Sequence, residues 1–546
     1  MPLLQSLVLL EGCHHHAENI ADFADAKGVV LRRKAKDQFS NIMARRGYGM
    51  KIELIGFLFA AAGAYAMFNN TRSAIYILCF STLLGAAAAL KLESVGGASI
   101  QPFHFMLVFI VAIVSLRPML LTASLSSLQY PGPGFWLMLF TAYGALTAVF
   151  LPRLFENATV VYSIARGSEL NRIVSSPLAP TSSNFTQSVY LLGNLGCFAI
   201  VSGIARLGGM VLFAKALIVT AVGCLAFAVL DFVTYKTGTA YLLSVIRNAN
   251  YRMLDDGDIA GFKRIVGSFS EAGVFGYVTL ALFSFVVVLI LEGYPQRALP
   301  LLAAALLVAL LLCTSTTAYV ASAAIFLLLF ALCVVRILRR TASIRHLGFV
   351  GLCTGIIPLA VMTVLLTPHI AQSIGDLLSV VLANKLETQS GEERMRWNAQ
   401  ALISFIDTSG LGAGLGSIRT SSFVVALLAN VGIVGAVLFV AFMASLVKYH
   451  LKRRGALPME KAVGLAALVS SIAQLIAASI SAAAIDLGPL FTLTTGLAAG
   501  YALGPYKSES HASAAYDLRR AVGAAPWSRA TDVPVAAVSA YGRSER

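Results

Sequence analysis

The sequence predicts an all-α fold, a polytopic membrane bundle of about 12–14 transmembrane helices with a long polar loop on one side. Two bulk observations and one pattern carry that prediction. Of the 546 residues, 58% are hydrophobic and only 12% are charged, about half the ~25% typical of soluble domains. The mean hydropathy of +0.79 leaves too little polar surface for a water-soluble particle of this size. The apolar residues fall into runs that mostly exceed the ~18 residues a helix needs to span hydrocarbon. These runs lack the strict alternation of barrel strands, and lipid cannot satisfy the backbone of an open strand, so helix is the expected state.

In order along the chain, residues 1–51 form a basic N-terminal segment with Arg32, Arg33, Lys34, Lys36, Arg45 and Arg46. Apolar segments follow at about 52–69, 73–91, 103–123, 134–152, 187–205, 208–231, 272–291, 298–313, 317–335, 347–367, 421–447, 462–485 and 487–504. Together they make one membrane domain over 52–504, rich in the Ala, Gly and Ser that let helices approach closely in lipid. Residues 505–546 are rich in Ala, Ser and Arg without periodicity and are expected to be a disordered cytoplasmic tail. Six cysteines lie within apolar runs; Cys13 stands beside His14, His15 and His16, without metal-site spacing. Met1–Cys13 lacks the basic start of a signal peptide.

The formal net charge of +15 is dispersed between apolar runs, which fits cytoplasmic loops under the positive-inside rule better than a nucleic-acid surface. The rule gives a conflict, however. Counting forward from a cytoplasmic N-terminus puts Arg153, Arg166 and Arg172 inside. Counting backward from a cytoplasmic tail puts Lys448, Lys452, Arg453 and Arg454 inside, together with Arg336, Arg339, Arg340 and Arg345. The two counts differ by one crossing, which is assigned to 153–271. The C-terminal clusters are denser and set the orientation. On that count the polar stretches 232–271 and 368–420 face outward.

The second stretch is the longest polar interval between spans, and long loops outside a membrane domain often carry its function. It concentrates Glu387, Glu392, Glu393, Arg394, Arg396, Trp397, Asp407 and Arg419, with alternating glycines at Gly410, Gly412, Gly414 and Gly416. Such glycines let backbone approach a ligand or adopt positive φ. They also suit a flexible lead-in to the next helix. No Gly-Lys-Ser/Thr follows, so this is not a P-loop. Within the apolar runs lie Arg117, Lys215 and, near the end of its run, Asp231, and Asp486 lies between the last two runs. Intramembrane charges are functional candidates by default, although Lys215 also fits a snorkelling residue, and Asp231 and Asp486 fit interfacial positions.

Arg394, Arg396 and Trp397, then Phe405, the run GLGAGLGSIR at 410–419 and the span FVVALLANVGIVGAVLFV at 423–440 resemble the core of the O-antigen ligase/polymerase superfamily. RIVGSFSEAGVFGYVTL at 264–280 and LLLCTSTTAYVASAAIFLLLF at 310–330 resemble two further elements of it, in the same order. The resemblance implies a GT-C-like, metal-independent glycosyltransferase needing no cofactor. Such an enzyme polymerises undecaprenyl-diphosphate-linked oligosaccharide repeat units into O-antigen, capsule or exopolysaccharide at the periplasmic face of the bacterial inner membrane. The implied partners are the lipid-linked oligosaccharide, membrane lipids, and a chain-length regulator and flippase of the same pathway, with no nucleic acid.

Carried onto this chain, the resemblance makes Arg394 and Glu271 the catalytic candidates, with Arg264, Arg396, Arg419, Trp397, Gly412, Gly414 and Gly416 as substrate-binding candidates. Guanidinium groups hold diphosphate oxygens by bidentate, charge-assisted bonds and stabilise the charge of the leaving group. Each arginine also has a plainer reading as the partner of Glu392 or Glu393. Glu271 equally fits a helix N-terminal acid, and Trp397 an interfacial anchor. Ligases of the superfamily carry a His after the glycine run, where this chain has Ser421 and Ser422. That departure favours a polymerase and leaves the base open between Glu271 and the more distant His369. A transfer to another acceptor remains an alternative. So does a secondary transporter or flippase, although no internal inverted repeat is visible.

Overall fold

The computed structural model describes residues 50–68, 71–92, 98–165, 172–250, 253–254, 258–259, 262–367, 372 and 389–506. The segment 1–49, His369 and the tail beyond 506 lie outside these residues.

Fifteen helices make the described fold: α1 Leu54–Phe68, α2 Thr71–Ser81, α3 Pro102–Ser115, α4 Pro118–Ser126, α5 Pro133–Leu154, α6 Ser182–Ile204, α7 Met210–Lys236, α8 Ala272–Leu291, α9 Leu299–Leu312, α10 Thr316–Leu338, α11 Ile344–Leu365, α12 Gln389–Asp407, α13 Phe423–Lys452, α14 Pro458–Ile480 and α15 Pro489–Leu503. Proline opens α3, α4, α5, α14 and α15, where its missing N–H is not needed and its φ suits a first turn. A Thr181–Asn184 capping box starts α6. Short strands accompany the helices: β1 Met50–Ile52, β2 Leu90–Leu92 and β3 Ala98–Ile100 in one antiparallel sheet, then the hairpins β4 Val160–Ala165 with β5 Arg172–Pro177, and β6 Asp258–Ile259 with β7 Phe262–Lys263.

The fold class is that of a multi-pass helical membrane protein, with fewer full spans than expected. Among the described residues seven helices are long and apolar enough to cross a membrane, or eight if the bent pair α3–α4 makes one span. One of the seven is the continuous run Ser182–Lys236, interrupted at Gly208 with φ 101°. Its 55 residues would reach about 80 Å as one rod, against ~30 Å of hydrocarbon, so α6 and α7 are each of span length. The expected spans at 52–69 and 73–91 are shorter helices of 15 and 11 residues. Strand β1 pairs with β2, Met50 opposite Leu92, so α1 and α2 leave from one place and return to it. The third expected span breaks by 111° between α3 and α4. Arg117 sits at that break and donates to the Thr71 hydroxyl. Lys215 is exposed near the start of α7, where its stem can lie along lipid while the ammonium reaches an interface.

Inside the bundle, polar contacts tie helices together where lipid supplies no hydrophobic drive between them. Ser470 on α14 donates to the Ala281 carbonyl on α8 at 2.8 Å, and Ser471 donates to Thr494 on α15 at 2.9 Å.

The two ends of the bundle differ in charge. At one end Arg206 donates from Nε to the Gly504 carbonyl at 3.1 Å, and Arg336 pairs with Glu292 at 2.5 Å. Arg339, Arg340, Arg345, Lys448, Lys452, Arg453 and Arg454 flank the same helix ends. The opposite end gathers the sheet, both hairpins, α12 and the loop 408–422. There Asn248 accepts from the Ala88 amide at 2.8 Å, Gln400 donates to the Val160 carbonyl at 2.8 Å, and the Arg419 amide donates to the Tyr162 carbonyl at 2.9 Å.

Those last two bonds correct the charge count. Among the described residues between 153 and 271 there are two span-length helices, α6 and α7, matching the two expected runs. The conflict arises because the hairpin carrying Arg172 is bonded to α12 and the 419 loop, away from the basic end. The stretch 368–420 is also less of a loop than expected. Residues 389–407 are helix α12, and 408–422 are a hydrogen-bonded turn structure.

Candidate functional site

The glycine run sets the geometry of the site. Gly410, Gly412, Gly414 and Gly416 all have positive φ, between 77° and 98°, a region L side chains rarely adopt. The loop lies against a break in α13 at Gly432, φ 64°. The Ala413 and Gly414 amides donate to the carbonyls of Ala429 and Asn430 at 2.8 and 2.9 Å, and the Ile433 amide donates to Gly410 at 3.0 Å. Buried Asn430 closes the turn, donating to the Ile418 and Ala426 carbonyls and accepting from the Ile418 amide. This corrects the ligand-binding assignment of Gly412, Gly414 and Gly416. A Cβ at 412 would lie 2.7 Å from the Gly432 amide, at 414 it would meet Pro152, and at 416 the Ser183 carbonyl. The close approach is to the protein's own backbone, and its product is a rigid turn that holds Arg419.

Arg419 lies over the Trp397 ring, 5.6 Å from the centroid. The indole face therefore carries a guanidinium, whereas the sequence offered a sugar or an interface as its partner. One turn N-terminal to Trp397 on the same helix, Arg394 donates from Nη1 to the Ser481 hydroxyl at 3.3 Å. Arg396 points elsewhere. Its side chain is 71% exposed and pairs with Glu392 at 3.3 Å, so the plain i,i+4 reading applies to it and it stands apart from the cluster.

The third arginine comes from the segment before α8. Buried Asp231 accepts from the Val266 and Gly267 amides at 2.8 and 3.1 Å and pairs with Arg247 at 2.6 Å. Arg247 in turn donates to the Gly267 carbonyl. Asp231 is thus a buried clamp on the turn after Arg264, where the sequence suggested an interfacial residue. Its replacement by Ala removes the carboxylate from the Arg247 ion pair and from the Val266 and Gly267 amides, and is expected to cost about 3–5 kcal/mol. The expected readout is a lowered melting temperature in detergent; an unchanged value removes the clamp assignment.

Arg264, Arg394, Arg419 and Glu271 share one electrostatic neighbourhood. Burial lowers the pKa of Arg419, with Glu271 opposing the effect and Arg394 adding to it. Arg264 is lowered the same way, by burial first, with Cys313 and Glu271 opposing and Arg394 adding. Arginine keeps its proton regardless, so the direction records the cost of holding like charges together in a poorly solvated place. The Nε atoms of Arg264 and Arg419 are buried and have no hydrogen-bond partner. Glu271 precedes α8 in extended backbone, φ −158°, and its side chain makes no cap bond. It stands at the N-cap position, where a carboxylate also favours the helix dipole, with its side chain free of a cap bond.

A cavity of about 300 Å³ adjoins this cluster, within the ~300–1,000 Å³ range of small-molecule sites. Glu271 and Ser481, the partner of Arg394, form part of its wall, with Gln101, Tyr277 and Asp486. Sequence reasoning passed over Ser481, Gln101 and Tyr277, which carry no charge or spacing to mark them. Asp486 was marked by its charge within an apolar region, though its partners were not. At Ser421 and Ser422, the Ser421 amide donates to Asn398 Oδ1 at 2.7 Å and the Ser422 hydroxyl donates to the Ser479 carbonyl at 2.8 Å.

The arrangement suits a multiply charged anion. Two forks have buried, unfilled donors, a third is held by one long bond, and one carboxylate offsets part of the charge. Comparison of the chain with protein-family models, with curated proteins and with solved structures gives no match.

Proposed function

We propose that the protein is a membrane glycosyltransferase that lengthens a glycan from undecaprenyl-diphosphate-linked oligosaccharide repeat units, working at the outer face of a bacterial inner membrane. The observation that carries this reading is that buried Arg264 and Arg419 both lie in the field of Arg394 and of Glu271, beside a cavity whose wall includes Glu271 and Ser481, the partner of Arg394. The resemblance of 264–280 and 394–440 to the O-antigen ligase/polymerase superfamily supplies the reaction class. The orientation rests on the basic end of the bundle, which the positive-inside rule assigns to the cytoplasm, leaving the arginine cluster outside.

In the reaction, an acceptor hydroxyl attacks the anomeric carbon of the donor and the lipid diphosphate leaves. Arg264, Arg394 and Arg419 hold the diphosphate oxygens, whose negative charge grows in the transition state. Fixed donors in a poorly solvated place stabilise that charge without reorganising. Glu271, in the field of Arg264 and Arg419, keeps the forks apart and partly neutralised before the donor arrives. The chemistry needs no metal ion in this scheme.

The test uses purified protein in detergent with lipid-linked repeat units extracted from a strain lacking it. Glycan on the lipid carrier is expected to lengthen with no nucleotide sugar and with chelator present. In proteoliposomes, movement of the lipid-linked glycan without bond formation would instead support a transporter and end this reading.

A further inference from the structure

The cavity holds a second carboxylate that the donor chemistry leaves unused. We propose that this cavity receives the hydroxyl-bearing end of the acceptor glycan, and that Asp486 takes the proton of the attacking hydroxyl. The proposal rests on the donor reading given above and adds the acceptor subsite and its base.

The wall is mixed in the way a sugar requires. Glu271 and Ser481 connect it to the arginine cluster, and Gln101, Thr82 and Tyr277 add hydrogen-bonding groups among apolar ones. Tyr277 is fixed, donating to the Leu487 carbonyl at 2.7 Å. The volume of about 300 Å³ takes a terminal sugar rather than a polyprenyl tail, and the polar wall would be a poor host for the tail.

Asp486 is held for proton acceptance. Its Oδ1 accepts from Asn194 Nδ2 at 2.9 Å and from the Gly488 amide at 2.8 Å. Those two bonds are both to Oδ1 and orient the carboxylate, and Asp486 is part of the cavity wall. Among the described residues no arginine or lysine forms a salt bridge with it, and a titratable neighbour is the buried His104; Glu271 stands instead on the arginine side of the cavity, in the field of Arg264 and Arg419.

The surroundings of Asp486 are also short of partners. Both ring nitrogens of His104, which stacks on Tyr190 at 4.7 Å, are buried and unbonded, and so are Asn194 Oδ1 and Thr141 Oγ1. Asn194 and Thr141 line a narrower cavity of about 40 Å³ that Asp486 shares. Unpaired buried polar groups are costly, and their gathering at one place marks where water or a hydroxylated ligand belongs. The step balances as follows. The acceptor O–H proton passes to Asp486, the acceptor oxygen bonds to the anomeric carbon, and the anomeric carbon–oxygen bond to the diphosphate breaks. The electron pair of that bond leaves with the lipid diphosphate, on the arginines.

The experiment separates the two subsites with two readouts: binding of undecaprenyl diphosphate, which carries no sugar, and lengthening of the native lipid-linked repeat units. Asp486→Asn is expected to bind undecaprenyl diphosphate within about two-fold of the wild type while lengthening falls by at least about 100-fold, the lower range for loss of a general base. Ala483→Trp fills the cavity from an exposed wall position and leaves Asp486 intact. It is expected to show the same split. Lengthening within about two-fold of wild type in either variant overturns the proposal. Should Asp486→Asn fail to insert, Asp486→Glu and Ala483→Trp decide on the same readouts. Wild-type protein that does not bind undecaprenyl diphosphate overturns the donor assignment instead.

Discussion

Arg394→Ala is expected to insert normally and to lower glycan lengthening by about 10²–10³-fold, the usual loss on removing one preorganised transition-state donor. Arg396→Ala is expected to stay within about two-fold of wild type. The sequence makes these residues near equivalents, two positions apart in one motif. The structure separates them by helical phase. Arg394 faces Ser481 and the fields of Arg264 and Arg419, while Arg396 points into solvent beside Glu392. Arg419→Ala belongs with Arg394, with a larger structural component because its guanidinium also covers Trp397. Arg394→Lys is expected to recover little, since one ammonium cannot reproduce a fork on two diphosphate oxygens. The measurement is chain-length analysis on equal amounts of membrane-inserted protein. Full-length glycan from Arg394→Ala would sink the assignment; a loss in Arg396→Ala equal to that in Arg394→Ala would show that α12 is oriented differently.

Gly432→Ala and Gly412→Ala are expected to cost on the order of 3–5 kcal/mol each, at the upper end of single-substitution effects, because backbone strain and steric overlap act together, and to deplete the protein from the membrane. Both positions have positive φ. At 432 a Cβ would overlap the Gly410 and Leu411 carbonyls, and at 412 it would meet Asn430 and Gly432. Neither neighbour is the end of a flexible side chain, so nothing cheap can move. Apparent melting temperature in detergent reads the effect. Gly455→Ala is the control, since that glycine also has φ above zero, 70°, but has nothing near its Cβ position; it carries the strain without the overlap. Equal losses at 412, 432 and 455 would show that φ alone matters and that the loop does not seat against α13.

The arginines of the candidate site stand out in the sequence because charge is conspicuous in an apolar chain. Arg264, Arg394, Arg419 and Glu271 stand out in a sequence with 12% charged residues, and the structure brings these four into one neighbourhood. The glycine run was legible as special backbone but not as to what it approaches. Positive φ is a local property, whereas the approach to Asn430 and Gly432 depends on a break in α13 some twenty residues on. The cavity was not legible at all. Its wall joins residues near 81–101, 269–278 and 478–490, and small or uncharged side chains from separate helices leave no common mark in the chain.

Composition and run length were enough to determine a multi-pass helical membrane protein, because hydrocarbon admits few other backbones and the charge deficit is a bulk quantity. They did not determine how many runs make full crossings. That depended on β1 pairing with β2, on the 111° break at Arg117 and on the turn at Gly208, all of which join or redirect segments without changing how apolar they are. Only the tertiary structure decided which of two neighbouring arginines faces the site, why the hairpin with Arg172 lies away from the basic end, and that Asp231 is a clamp while Asp486 lines a cavity. Each is a matter of contact between distant segments, and hydropathy read along one chain contains no term for such contacts.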